Sequence, residues 1–104
     1  MQNPAPTVLV KYTIQDAQVA EQEAVIREWV GSIQELNDPD VEYSVYKSED
    51  GKSVVHHIQM ANGEVGSRLQ ALPLFKPRGE GTKERSENGL TVTKLERVAS
   101  SVKG

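Results

Sequence analysis

The sequence contains no cysteine. Disulfides, thiolate metal sites and cysteine nucleophiles are thereby excluded, and the fold must rest on packing and hydrogen bonds alone. Aromatics are scarce: one tryptophan, one phenylalanine and three tyrosines. No apolar run approaches the roughly 18 residues that a membrane span requires. The opening MQNPAPT lacks both the basic stretch and the apolar core of a secretory signal. A strong excess of either charge is also missing. Twelve basic against 15 acidic residues leave a net −3, which supplies no counterion-release drive toward nucleic acid or an anionic membrane. These absences predict a cytoplasmic protein with neither nucleic acid nor membrane as partner. The length of 104 residues predicts a single domain, 1–104, with its core at about 7–98. A flexible leader, 1–6, and a polar tail, 99–104, would flank that core.

What is present begins with VEYSVYKSEDGKSVVHHIQM, Val41 to Met60. Two β-rich runs flank Asp50-Gly51, a pair suited to a type I′ turn with positive φ at both residues. Centring the turn there opposes Val41 to Met60, Tyr43 to Ile58, Val45 to His56 and Lys47 to Val54. Val41, Tyr43, Val45, Val54, Ile58 and Met60 then share one face. A slip of one residue would scatter that apolar set over both faces.

Thr7 to Ile14 alternates with period two and predicts the first strand. Asp16 is the expected N-cap of a long helix ending near Leu36, with Val19, Ile26, Trp29, Val30, Ile33 and Leu36 as its apolar stripe. Asn37-Asp38-Pro39-Asp40 stops it. Asn62 would cap a short helix carrying Val65, Leu69 and Leu72. In LFKPRGEGTKERSENG, Pro77, Gly79 and Gly81 argue against regular helix, leaving one or two turns within Thr82 to Glu87. Leu90 to Val98 is the last strand. The order strand, helix, strand, strand, helix, strand predicts an α+β, ferredoxin-like βαββαβ fold with a four-stranded antiparallel sheet and helices on one face. The other face bears Leu9, Tyr46, Val55 and Leu95 among polar residues, and a second copy placed sheet-to-sheet would cover it.

His56 and His57 are adjacent on a strand and must point to opposite faces. His56 falls on the helix side with Tyr12, Tyr43 and Trp29, the one aromatic-and-imidazole cluster that the pattern assembles. There it could serve as a general base or a haem contact. The reading the pattern favours is a core histidine hydrogen-bonded to a tyrosine or to a backbone carbonyl. Trp29 and the two tyrosines could line a pocket for a planar ligand, or simply pack. KPRGEGTK, Lys76 to Lys83, lacks the glycine spacing and preceding strand of a phosphate loop. It is either a flap offering Arg78 or Lys83 to an anionic substrate or a solvated loop. Two histidines on opposite faces give no metal-ligand spacing.

The element order, the long first helix with Trp29, the Asp-Gly hairpin and the Pro73-Leu74-Phe75 segment together resemble the dimeric α+β barrel superfamily. Within it, the chain is similar to the antibiotic-biosynthesis-monooxygenase-like family, from about Thr7 to Val98. The resemblance implies a homodimer whose two sheets form a barrel, with a pocket in each subunit between sheet and helices. It also implies oxidation of an aromatic phenol or quinol by dioxygen without a cofactor. Other members degrade haem, and a non-catalytic ligand-binding or protein-interaction module is a further alternative. Catalytic members often carry an asparagine on the first strand; Lys11 and Tyr12 stand here instead. The expected site is therefore His56 as catalytic residue and Tyr12, Trp29 and Tyr43 as substrate-binding residues, with no cofactor and no metal.

Overall fold

The structure, a computed structural model, describes residues 7–101; the leader 1–6 and the last three residues of the tail lie outside the described residues. Four strands, β1 (Thr7–Thr13), β2 (Val41–Lys47), β3 (Ser53–Met60) and β4 (Thr91–Leu95), form one sheet in the order β2-β3-β1-β4. All neighbours are antiparallel. Three helices accompany them: α1 (Val19–Leu36), α2 (Glu64–Gln70) and α3 (Phe75–Arg85). Among the described residues no helix is long and apolar enough to cross a membrane.

The hairpin register is the expected one, with Val41 opposite Met60, Tyr43 opposite Ile58 and Val45 opposite His56. Its turn is not type I′. Of the central pair only Gly51 takes positive φ, at 78°. The Gly51 N–H closes on the Ser48 carbonyl at 3.0 Å, and Ser48 N–H reaches the Ser53 carbonyl at 2.9 Å. Asp50 is the reason for the wider loop. Its carboxylate accepts the Lys52 and Ser53 N–H groups at 2.9 and 2.8 Å and the hydroxyls of Ser48 and Ser53. A side chain that captures the turn's own donors needs no left-handed backbone. Those bonds hold the Asp50 carboxyl far below the usual carboxylate range.

Asp16 is not the N-cap of α1. It opens a 3-10 turn, Asp16–Gln18, and its carboxylate faces Lys52 Nζ at 3.4 Å. The far end of α1 stops as expected: Asn37 takes the left-handed conformation (φ 49°) and returns its N–H to the Gln34 carbonyl at 3.0 Å. The final strand is shorter than Leu90 to Val98: β4 pairs Thr91 to Leu95 with Lys11 to Thr7 of β1. Val98 is fully solvated.

The largest departure is α3. Pro77 lies in its first turn, where an N–H has no intrahelical acceptor to lose, so the proline is tolerated. With only Phe75 as a large apolar residue, α3 has little stripe of its own. Its hold comes instead from tertiary contacts made by Phe75, Arg78, Thr82 and Arg85.

The core has two halves on the helix side of the sheet. Tyr12, Ile14, Ile26 and Val54 make one; Trp29, Ile33, Val65 and Leu69 make the other. Val41, Tyr43, Val45, Ile58 and Met60 of the hairpin pack onto these halves. The opposite sheet face is open, with Tyr46 at 61 % and Leu95 at 40 % exposure.

Candidate functional site

Between the two halves of the core runs a line of buried polar groups. His56, on the central part of β3, is completely buried. Its Nε2 lies 2.6 Å from the Tyr12 hydroxyl and its Nδ1 2.7 Å from the Tyr43 hydroxyl. Tyr12 comes from β1, the neighbour of β3 on one side, and Tyr43 from β2 on the other, so sheet register alone brings the rings together. Gln22 of α1, also buried, donates from Nε2 to the Tyr12 hydroxyl at 2.9 Å and to Thr82 Oγ1 at 3.1 Å. Arg85, at the end of α3, donates from Nε to Gln22 Oε1 at 2.6 Å.

The position of Arg85 follows from how α3 ends. Gln15 N–H bonds the Arg85 carbonyl at 2.9 Å, Glu87 N–H bonds the Thr13 carbonyl at 2.7 Å, and Ser86 bridges Ile14. The exit of β1 and the end of α3 are thus stitched together beside the first turns of α1. Gly81 makes room for the guanidinium: a Cβ there would lie 2.9 Å from an Arg85 terminal nitrogen.

Trp29 forms the other wall of the cluster, edge-on to Tyr43 at 6.1 Å between ring centres. The Arg78 guanidinium stacks 4.7 Å from the Trp29 ring centre and 5.6 Å from that of Phe75. Trp29 Nε1 and Arg78 Nε are buried and make no well-formed hydrogen bond. No carboxylate among the described residues pairs with Arg78.

Burial sets the protonation states. It pushes His56 down to about 4, helped by the Arg78 charge. It pushes Tyr12 up to about 12 against the Gln22 hydrogen bond, with the Tyr43 hydroxyl adding to the rise and the two arginines opposing it. Tyr43 is raised by the same cause; the Arg78 charge and the nearby Trp29 N–H ease it. At neutral pH the cluster is therefore uncharged apart from Arg78 and Arg85, and it works by hydrogen bonding rather than through a resident anion or imidazolium.

The four residues singled out in the sequence do meet, and His56 has the tyrosine partners of the structural reading. They meet as a packed cluster rather than around a void. The cavity lies alongside, a groove of about 500 Å³ between α1 and the edge strand β2, with Ile26, Val30, Val45 and Val54 as apolar lining. Glu23, Arg27 and Lys47 stand on its rim, where Glu23 meets Lys47 at 3.3 Å and Arg27 at 3.8 Å. A second opening of about 490 Å³ continues it past Ile33 toward Val41, and both include Tyr43. Of the four, Tyr43 alone belongs to both cluster and groove. His57 lies on the opposite sheet face, across from Ser44.

Gln22, Thr82 and Arg85 were not foreseen as part of the cluster. Gln22 carries a legible signal: it lies three residues after Val19 and four before Ile26, a polar side chain on the apolar stripe. Arg85 and Thr82 carry none, since α3 shows no helical periodicity.

No family model matches the sequence, and no curated protein matches it. Solved structures do. A structure described as an antibiotic biosynthesis monooxygenase superposes with a TM-score of 0.79 at 14 % identity, covering 90 % of this chain and 99 % of its own. Rv0793 from Mycobacterium tuberculosis gives 0.81 at 13 %, covering 94 % and 99 %. SnoaB, a cofactor-independent oxygenase from Streptomyces nogalater, gives 0.76 at 17 %, covering 96 % and 99 %. At such identities the likeness is one of fold. The chain has the antibiotic-biosynthesis-monooxygenase-like fold, over nearly its full length.

Proposed function

We propose that the protein is a homodimeric pocket protein that binds an aromatic phenol or quinol in the groove between α1 and β2 and oxidises it with dioxygen, without a cofactor. The observation that carries this reading is the neutral Tyr12–His56–Tyr43 chain reaching the groove wall at Tyr43, with Arg78, stacked on Trp29 behind that wall and without a carboxylate partner among the described residues, near enough to ease Tyr43 ionisation. The fold shared with a cofactor-independent oxygenase adds support.

In this reading the ligand lies along the apolar groove with its oxygen against Tyr43. The Arg78 charge and the Tyr43 hydroxyl stabilise its phenolate or enolate, whose electron-rich carbon reduces dioxygen. A ring C–H is replaced by C=O: one oxygen atom is retained as the new carbonyl and the other leaves as water, so substrate and dioxygen exchange four electrons. Both ring nitrogens of His56 are engaged and the residue is buried. It therefore acts on the ligand through Tyr43, and Trp29 and Tyr12 hold the chain in place. The same engagement leaves His56 no free nitrogen for haem iron.

For the open sheet face, a second copy is the natural cover, with Leu9, Val55, Tyr46 and Leu95 at the contact.

Oxygen uptake with anthrones and naphthols, in the presence of a chelator, tests the activity. The expected result is one dioxygen consumed per carbonyl formed, without hydrogen peroxide. Saturable binding with no uptake above the buffer rate would leave a non-catalytic binding module, and no binding at all would remove the pocket reading.

A further inference from the structure

The polar chain has a direction, and Arg85 sets it. A guanidinium donates and never accepts, so the Gln22 atom 2.6 Å from Arg85 Nε must be the carbonyl oxygen. That fixes the amide orientation, which electron-rich neighbours alone could not have decided. Gln22 Nε2 then spends its two hydrogens on Tyr12 and Thr82. The Tyr12 oxygen, already accepting from Gln22, has His56 Nε2 as the one acceptor for its own hydrogen among the described residues. The opposite arrangement would leave that hydrogen buried and unpaired, since Tyr12 is only 5 % exposed. With Nε2 accepting, a neutral imidazole carries its proton on Nδ1 and donates it to Tyr43. The hydroxyl hydrogen of Tyr43 is left with no acceptor among the described residues. Beside it Arg78 Nε is a further buried donor without a partner among the described residues, while the Trp29 Nε1–H faces the Tyr43 oxygen. The open hydrogens at this end of the chain, on the Tyr43 hydroxyl and Arg78 Nε, meet no acceptor among the described residues.

We propose that Arg85 is a positioning residue that, through Gln22, holds His56 as the Nδ1–H tautomer and makes Tyr43 the hydrogen-bond donor to an acceptor oxygen, a quinone carbonyl or a phenolate, of the ligand. This deepens the function proposed above and rests on it for the ligand's place. The direction of the chain does not depend on any ligand.

Two measurements test it. Long-range proton–nitrogen correlation on histidine-labelled protein at pH 7 reads the tautomer without ligand. For the His56 spin system, assigned by comparison with His57→Gln, the expected wild-type spectrum has Nδ1 protonated and Nε2 bare; a protonated His56 Nε2 overturns the proposal. Gln22→Glu replaces the amide donor by an acceptor that Arg85 still engages. Tyr12 must then donate to Glu, accept from His56 Nε2–H, and leave Nδ1 to accept from Tyr43. The tautomer is expected to invert. The second measurement is quenching of Trp29 by 1,4-naphthoquinone, which can only accept hydrogen bonds, corrected for inner-filter absorption. Its Kd should weaken at least about tenfold in Gln22→Glu and in Tyr43→Phe. Equal affinity in wild type and both variants would overturn the donor role of Tyr43 even with the expected tautomer. Absence of saturable quenching in the wild type would defeat the groove reading, while the tautomer would still decide the direction of the chain. The wild-type spectrum needs no variant, so a Gln22→Glu protein that failed to fold would not protect the proposal.

Discussion

The burial of His56 makes the stability of the protein fall as the pH drops below the ordinary histidine range. The folded state carries the imidazole from an ordinary value of 6.5 down to about 4. At 1.36 kcal/mol per pH unit this corresponds to about 3 kcal/mol. The sign follows from proton counting. Above pH 6.5 both folded and unfolded chains hold neutral imidazole, and the full stability is present. As pH drops below 6.5 the unfolded chain takes up a proton that the folded chain refuses, so unfolding is favoured progressively until about pH 4. Between pH 7 and 4.5 the expected loss is about 2.5 kcal/mol, equivalent to a fall in Tm on the order of 15 °C for a domain of this size. Asp38 and Asp50, whose carboxyls are held low by hydrogen bonds, act only at more acid pH. The assay is urea denaturation at fixed protein concentration across that range, for the wild type and for His56→Gln. The wild type should lose stability through the window, and the variant, less stable at pH 7, should lose little. A flat wild-type profile, or a His56 imidazole titrating above pH 6 by NMR, would refute the reasoning.

Two further outcomes follow from the packing. Gly81→Ala places a methyl group 2.9 Å from an Arg85 terminal nitrogen. The gain in helix propensity, about 1 kcal/mol, offsets the disturbed Arg85–Gln22 bond, so Tm should change little while naphthoquinone affinity falls severalfold; unchanged affinity would show that the guanidinium has kept its place. Leu95→Lys puts a charge on the open sheet face, and light scattering should report a monomer with unchanged circular dichroism, against a dimer for the wild type.

Much of the fold was legible because the hairpin leaves little choice. Its register follows from where the apolar side chains stand, and the same register sets Tyr43 and His56 on the face that the helices cover. Tyr12 follows from the alternation of the first strand and Trp29 from the stripe of α1. The turn type was not legible in the Asp-Gly pair, because Asp50 serves its carboxylate rather than its backbone. Nor was α3. A stretch with two glycines, a proline and one large apolar residue is helical here through what it touches: Phe75 and Arg78 against Trp29, Thr82 and Arg85 on Gln22. The line of polar groups through the core was hidden for the same reason. Two of its six members, Thr82 and Arg85, sit on an element that tertiary contacts create.

The strand order β2-β3-β1-β4 has a consequence for how the chain assembles. The hairpin pairs residues close in sequence and can close on its own, in microseconds by the usual timescale. The first strand, by contrast, finds its neighbours in the third and the fourth. During synthesis it emerges first and waits longest: Thr7 meets Gln59 on one side and Leu95 on the other. Until residue 95 has left the ribosome, the central strand of the sheet is an edge, with its backbone donors and acceptors open to any other extended chain. The last residues of the sheet are the ones that shield its first.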